Sequence, residues 1–245
     1  MDIIIFIFGL CWGSFLALMS YRIPRGISIV VPGSFCDSCK TKLTISQNIP
    51  IISYILLRGK CKSCGAKISI RYPVMELLTA LLFLYAYEYM FENYFSLIRV
   101  VLLITAILPS IFIDVDERII PDRLSIGLII CGFALSLFDP LMTWHNSAAG
   151  IIVGGGILFI VAEVYYRLTG REGMGGGDIK LLAGIGAVLG WYPAIMVIFY
   201  SSVLGSVYGI FMMLIFKKGR LTEIPFGPFI GISAILYHFI MARVI

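Results

Sequence analysis

The chain has 245 residues, 60% of them apolar and 13% charged, with a net charge of +5. A mean hydropathy of +0.98 is more than a water-soluble domain of this size needs, so the expected class is an all-α polytopic membrane protein. The positive balance needs no nucleic acid to explain it. In a membrane protein it reports topology and attraction to anionic lipid.

Eight apolar segments follow one another, at about 3–20, 73–91, 97–113, 124–138, 147–166, 179–191, 193–216 and 225–243. Most approach the ~20 residues that a spanning helix needs, so about eight transmembrane helices are expected. The first is expected to stay attached rather than be cleaved as a signal peptide. Asp2 is its only early charge, and Arg22 and Arg25 follow it. The sixth is too short alone, so the glycine-rich stretch before it is expected to dip below the membrane surface, where protein or a watery cavity must surround it.

Orientation follows from the basic residues. With the N-terminus outside, seventeen of the nineteen Lys and Arg fall in inner loops, and only Arg99 and Arg243 lie outside. The positive-inside rule then predicts both termini outside, and the acidic motifs discussed below at the cytoplasmic face.

The one long polar stretch, residues 22–72, carries nine basic residues and a single acid, Asp37. Within it, Cys36-Asp37-Ser38-Cys39 and Cys61-Lys62-Ser63-Cys64 are separated by 21 residues. Two Cys-x-x-Cys knuckles at this separation fit a tetrahedral zinc site of four thiolates, and a segment this small needs such a staple to fold. The alternatives are four ordinary thiols or two disulfides, and a cytoplasmic location argues against the latter. With four protein ligands the Zn2+ would be structural. Cys11 and Cys131, inside apolar segments, read as small core residues.

Two acidic motifs carry the chemistry: Ile113-Asp114-Val115-Asp116-Glu117-Arg118-Ile119-Ile120-Pro121-Asp122 and Gly175-Gly176-Gly177-Asp178-Ile179-Lys180. A carboxylate within the apolar phase costs roughly 2.5–3.5 kcal/mol near the bilayer centre, so two on separate segments point to function. Aspartic proteolysis needs such a pair. One carboxylate takes a proton from water while the other donates to the scissile carbonyl, and the dyad titrates as a unit. Asp114 is expected to end the third span, beyond Pro109, with Asp116 and Glu117 already in the loop and Asp122 as N-cap of the fourth. The glycines Gly175, Gly176 and Gly177 are expected to let a substrate backbone approach Asp178. The bland alternatives are a loop charge at a helix end and a flexible hinge with a capping Asp. Asp116, Asp122 and Glu76 are secondary acidic candidates. His238, inside the last segment, reads as a helix-packing hydrogen bonder.

Across nearly its whole length the chain resembles the type IV prepilin leader peptidase family. The matching stretches are Gly13-Ser14-Phe15-Leu16, Arg22-Ile23-Pro24, the four-cysteine segment, Asn48-Ile49-Pro50, Arg71-Tyr72-Pro73 with Glu76, and the two acidic motifs. One departure is Ala17, where Asn usually stands. The resemblance implies an intramembrane aspartic protease of the Gly-x-Gly-Asp type. It would cleave the basic leader from type IV prepilins or pseudopilins at the cytoplasmic face of the bacterial inner membrane, with Asp114 and Asp178 as its two aspartates. It further implies N-methylation of the new N-terminal residue by S-adenosylmethionine, an activity associated in the family with the N-terminal cytoplasmic segment. The layout expected is a first helix over 1–21, a zinc-binding segment over 22–72 and an aspartic peptidase domain over 73–245.

Two other classes compete: an ion or proton transporter, and a non-catalytic zinc-bearing scaffold of a secretion or competence apparatus. Clustering of the acids at one face, with no evident inverted repeat, argues against transport.

Overall fold

The structure is a computed structural model that describes residues 1–90, 93–216 and 224–241. Lys217, Lys218, Arg220 and Arg243, which contribute to the orientation argument, lie outside the described residues. The fold is helical, and the chain forms two compact units, Met1–Phe91 and Glu92–Ile245.

In the first unit, α1 (Asp2–Arg22) packs along α3 (Arg71–Met90). Small residues make this possible. A Cβ on Gly9 would stand 2.6 Å from Ala80 Cα, and one on Gly13 the same distance from Glu76 Cα, so the two backbones touch where those glycines lie. Between the helices run two cysteine knuckles, a 3₁₀ turn over Ile45–Gln47 closed by a Thr44/Gln47 capping box, and the short α2 (Ile52–Leu56).

The second unit holds α4 (Tyr94–Glu117), α5 (Asp122–Ser136), α6 (Trp144–Thr169), α7 (Gly176–Leu189), α8 (Trp191–Phe216) and α9 (Gly227–Met241). Its core is α7. Leu181, Leu182, Ile185 and Val188 are almost wholly enclosed, among Ile107, Leu128, Leu158, Val197 and Ile230. At 1.5 Å per residue, the 14 residues of α7 extend only about 21 Å. The sixth apolar segment is therefore a buried core helix, wrapped by its neighbours on every side. A Cβ on Gly150 would meet Gly186 O at 2.1 Å, and Ser147 Oγ donates to Ala187 O at 2.7 Å. These contacts clamp α6 onto α7.

Each of the eight apolar segments is matched by a helix. Among the described residues, four helices (α1, α4, α6 and α8) are long and apolar enough to cross a membrane. α5, α7 and α9 are shorter, and α3 carries charge at both ends.

Four sequence expectations need correction. Asp116 and Glu117 lie inside α4, because the helix runs on to a left-handed terminator at Arg118 (φ 55°) whose N–H bonds Asp114 O. Asp122 is the first helical residue of α5, with Pro121 in the capping position. Cys11 and Cys131 are exposed on helix surfaces rather than packed in a core. His238 Nε2 is buried without a hydrogen-bond partner among the described residues.

Candidate active site

Asp114 sits in the last turn of α4 and is buried, as is Asp178 in the first turn of α7. They are close enough for the charge on Asp114 to act directly on Asp178. The fold thus brings the two acidic motifs to one place, from aspartates 64 positions apart in sequence.

Each carboxylate is held by a different helix end. Asp114 Oδ2 accepts the amide of Gly227, the first residue of α9, at 2.9 Å. This uses one of the four unpaired N–H groups that every helix start presents to an anion. Asp178 sits at the N-terminus of its own helix, where the aligned peptide dipoles favour negative charge. Its amide donates to Gly175 O at 3.1 Å, while Oδ1 is buried without a partner among the described residues. A buried acceptor left open in this way is unusual and points to a ligand or a reacting group.

Ile120, in the link between α4 and α5, wedges the site together. A Cβ on Gly177 would lie 2.9 Å from Ile120 Cβ, and one on Gly227 would lie 3.0 Å from Ile120 Cδ1 and 2.8 Å from Asp114 Oδ2. Gly177 is therefore needed for contact with the chain's own backbone, and it has no left-handed φ. Gly176 has open space around its Cα and Gly175 faces only Asp178 Oδ2. Of the secondary acids, Asp116 is exposed on α4, and Asp122 forms an exposed ion pair with Lys180 at 2.7 Å. Gly227 and Ile120 were not singled out in the sequence. The available signal was Phe226-Gly227-Pro228, with Pro just inside a helix start.

The four cysteines also come together. Cys36 and Cys64 sulfurs are 3.9 Å apart, Cys39 and Cys61 4.0 Å, and all four lie within 4.8 Å of one another. A metal with four Zn–S bonds of ~2.3 Å needs sulfurs about 3.8 Å apart, so the donor set fits a tetrahedral cation. The two knuckles repeat one design. Cys36 and Cys61 carbonyls accept the amides of Lys40 and Gly65, both left-handed, and a β-bridge closes each turn (Phe35 with Lys42, Lys60 with Lys67). Thr41, whose hydroxyl is 3.3 Å from Cys39 Sγ, holds that thiol down at about 6. The Ala66 amide pulls Cys64 down, but its sulfur neighbours and desolvation outweigh it and push the thiol up to about 11. Four clustered thiols resist collecting negative charge unless a cation accompanies it.

Beside the cysteines, the first unit encloses a cavity of about 410 Å³, within the size range of small-molecule sites. Its walls include Ser14, Phe15, Arg22, Asn48, Pro50, Tyr72, Pro73 and Glu76. These come from each of the short N-terminal stretches that carry the family resemblance, and here they meet around one space. Arg22 is part of the wall rather than a free cation, since its guanidinium donates to the carbonyls of Ser28, Pro32 and Gly33 at 2.7–3.0 Å. Ala17, where the family usually has Asn, is buried but does not line the cavity.

Comparison with known proteins agrees with this division. The family model described as Bacterial Peptidase A24 N-terminal domain matches residues 7–90, and that of the Type IV leader peptidase family matches 97–210. A curated protein of Neisseria gonorrhoeae named Prepilin leader peptidase/N-methyltransferase is 38% identical over 93% of this chain and 86% of its own length. Proteins of the same name from Bacillus subtilis (37%, covering 96% and 92%) and Legionella pneumophila (33%, covering 98% and 91%) are similar over comparable spans. No solved structure gives a significant match. With both halves matched and such identity over nearly the whole length, the chain belongs to the type IV leader peptidase family.

Proposed function

We propose that this protein is a membrane-embedded aspartic endopeptidase that removes the leader from type IV prepilins or pseudopilins, and that it then methylates the new N-terminal residue. The observation that carries the peptidase reading is the buried pair Asp114 and Asp178. Asp114, oriented by the Gly227 amide, takes a proton from the attacking water. Asp178, in its protonated form, donates to the scissile carbonyl oxygen through the open Oδ1. As the C–N bond breaks, Asp114 gives its proton to the departing nitrogen and Asp178 takes one back from the gem-diol, which re-forms the carbonyl. Open space at Gly176 gives an extended substrate backbone room to approach, and exposed Asp116 lends negative charge toward a basic leader.

Methyl transfer is assigned to the cavity of the first unit. S-adenosylmethionine, when bound, supplies a methyl group activated on a cationic sulfur. The aromatic walls Phe15, Tyr21, Phe35, Tyr54 and Tyr72 suit such a cation. Zn2+ is placed on Cys36, Cys39, Cys61 and Cys64, where it organises the segment over 22–72. The dyad works within the domain over 73–245. The protein is placed in the bacterial inner membrane, with both termini outside, about eight helices embedded and the dyad at the cytoplasmic face.

The test is mass spectrometry of a prepilin co-expressed with this protein. A mature pilin shortened by its leader and heavier by one methyl group is expected. An uncleaved prepilin sinks the peptidase reading, and a cleaved but unmethylated one sinks the second activity alone.

A further inference from the structure

The cavity of the first unit has one buried carboxylate at its wall. Glu76 on α3 is 6% exposed and faces the same space as Ser14, Pro50 and Tyr72. Its Oε2 accepts the Ile51 amide at 2.7 Å, and the Ser14 hydroxyl also donates to it. Three separate pieces of chain therefore fix one carboxylate. The contact between Gly13 and the α3 backbone is what brings Ser14 within reach. Both groups that bond the carboxylate are neutral. A carboxylate offers about four acceptor positions, so capacity remains toward the cavity for a cationic donor.

The reaction placed in this cavity needs such a group. An N-terminal amine has an ordinary pKa of about 7.7–8.0, so at neutral pH most of it is aminium, which has no lone pair to attack with. We propose that Glu76 is the catalytic base of the methyl transfer, receiving the aminium of the newly exposed pilin terminus and taking one of its protons. This rests on the methyl-transfer reading above. The step balances as follows. An N–H bond breaks and an O–H bond forms on Glu76. The freed lone pair forms a C–N bond to the methyl of the sulfonium donor. The C–S bond breaks with its electron pair left on sulfur, giving a neutral thioether and a secondary aminium. The proton on Glu76 returns to solvent as the product leaves.

A purely structural role, tying Ile51 to α3, makes different predictions, and Glu76→Gln separates the two. The amide keeps an oxygen that accepts the Ile51 amide but cannot take a proton from an aminium. The experiment uses the full chain in lipid vesicles with a prepilin substrate, following cleavage and methylation by mass spectrometry from pH 6 to 8.5. Expected for Glu76→Gln are leader cleavage within about twofold of wild type and an unchanged KM for S-adenosylmethionine. Methylation at pH 7 should fall by the ~10²–10⁴-fold that a lost general base costs. The residual rate should climb about tenfold per pH unit below pH 7.5, following the neutral amine fraction, while the wild-type profile is flatter. Glu76→Asp, which keeps the charge, should recover part of the rate at pH 7. Wild-type methylation rates in Glu76→Gln overturn the proposal, as does a loss that neither rising pH nor the Asp variant relieves. If wild type itself cleaves without methylating, the methyl-transfer reading fails, and this assignment with it.

Discussion

The amide of Gly227 donates to Asp114 Oδ2 at 2.9 Å, so the start of the last helix orients a carboxylate at the end of the fourth. A methyl group on residue 227 would lie 2.8 Å from that oxygen and 3.0 Å from Ile120 Cδ1. Gly227→Ala must therefore push the carboxylate or the helix aside. Cleavage should fall by at least tenfold, while melting shows only the ~1–3 kcal/mol typical of overpacking. Unchanged cleavage would mean that the Gly227 contact does not position the dyad.

Asp114→Asn and Asp178→Asn should each lower leader cleavage by ~10²–10⁴-fold or more, because an amide keeps the shape but cannot exchange the proton. Asp116→Asn and Asp122→Asn should retain cleavage within severalfold, since the first is exposed and the second holds only an exposed ion pair. Rates of peptide cleavage in vesicles decide it. An inactive Asp116→Asn beside an active Asp114→Asn would move the catalytic role within the motif.

Two of the glycines before Asp178 and one on α6 should separate cleanly. Gly176→Ala meets nothing within 4 Å, so the protein should melt normally, and any loss of cleavage then reports a blocked substrate. Gly177→Ala drives a methyl to 2.9 Å from Ile120 Cβ and should cost ~1–3 kcal/mol in stability as well. Gly150→Ala, facing a backbone oxygen at 2.1 Å, should be the most destabilising of the three. Melting temperatures in one detergent give the order directly.

About one zinc per chain is expected by elemental analysis of purified protein. Loss should follow when Cys36, Cys39, Cys61 or Cys64 becomes Ser, because metal binding and local folding are coupled in segments this small. Limited proteolysis should then cut within 22–72, and methylation should suffer more than cleavage. A metal-free segment that still resists protease would rule out the metal as its organiser.

Arg99 and Asp139 form a buried ion pair in the second unit, and Asp139 Oδ1 also accepts the Leu141 amide at 2.9 Å. Arg99→Ala would strand a buried carboxylate and should cost about 3–5 kcal/mol. The double variant with Asp139→Asn should recover much of that in thermal melts. Equal losses in both would place the cost in packing instead.

Much of this was readable from the residues alone. Apolar runs gave each of the eight longer helices, since lipid demands long uninterrupted stretches, and knuckle spacing gave the cysteine cluster. Ends were harder. The helix carrying Asp114 continues to Glu117 because a non-glycine residue, Arg118, takes the left-handed stop, and no local rule marks it. The packing contact of Gly177 is hidden for a related reason. Its neighbour Ile120 lies 57 positions away, and only the folded chain puts them in contact. Gly227 and Ser14 were hidden likewise, as both act through partners on other helices.

Residues 40–60, between Cys39 and Cys61, form a loop whose two ends meet at the sulfur cluster, and this loop carries Asn48, Pro50 and the Ile51 amide to the wall where Glu76 stands. A cation bound there would act as a clasp, removing the ~(3/2)RT ln n of closure entropy that an open loop of this length would otherwise oppose to its own placement. Chelation should therefore be felt at a distance. The loop would swing, Ile51 would release Glu76, and the cavity would lose its shape while the helices around Asp114 and Asp178 stay as they are. One chain would then contain an adjustable workshop and a fixed blade, with metal supply setting whether a trimmed substrate leaves plain or modified.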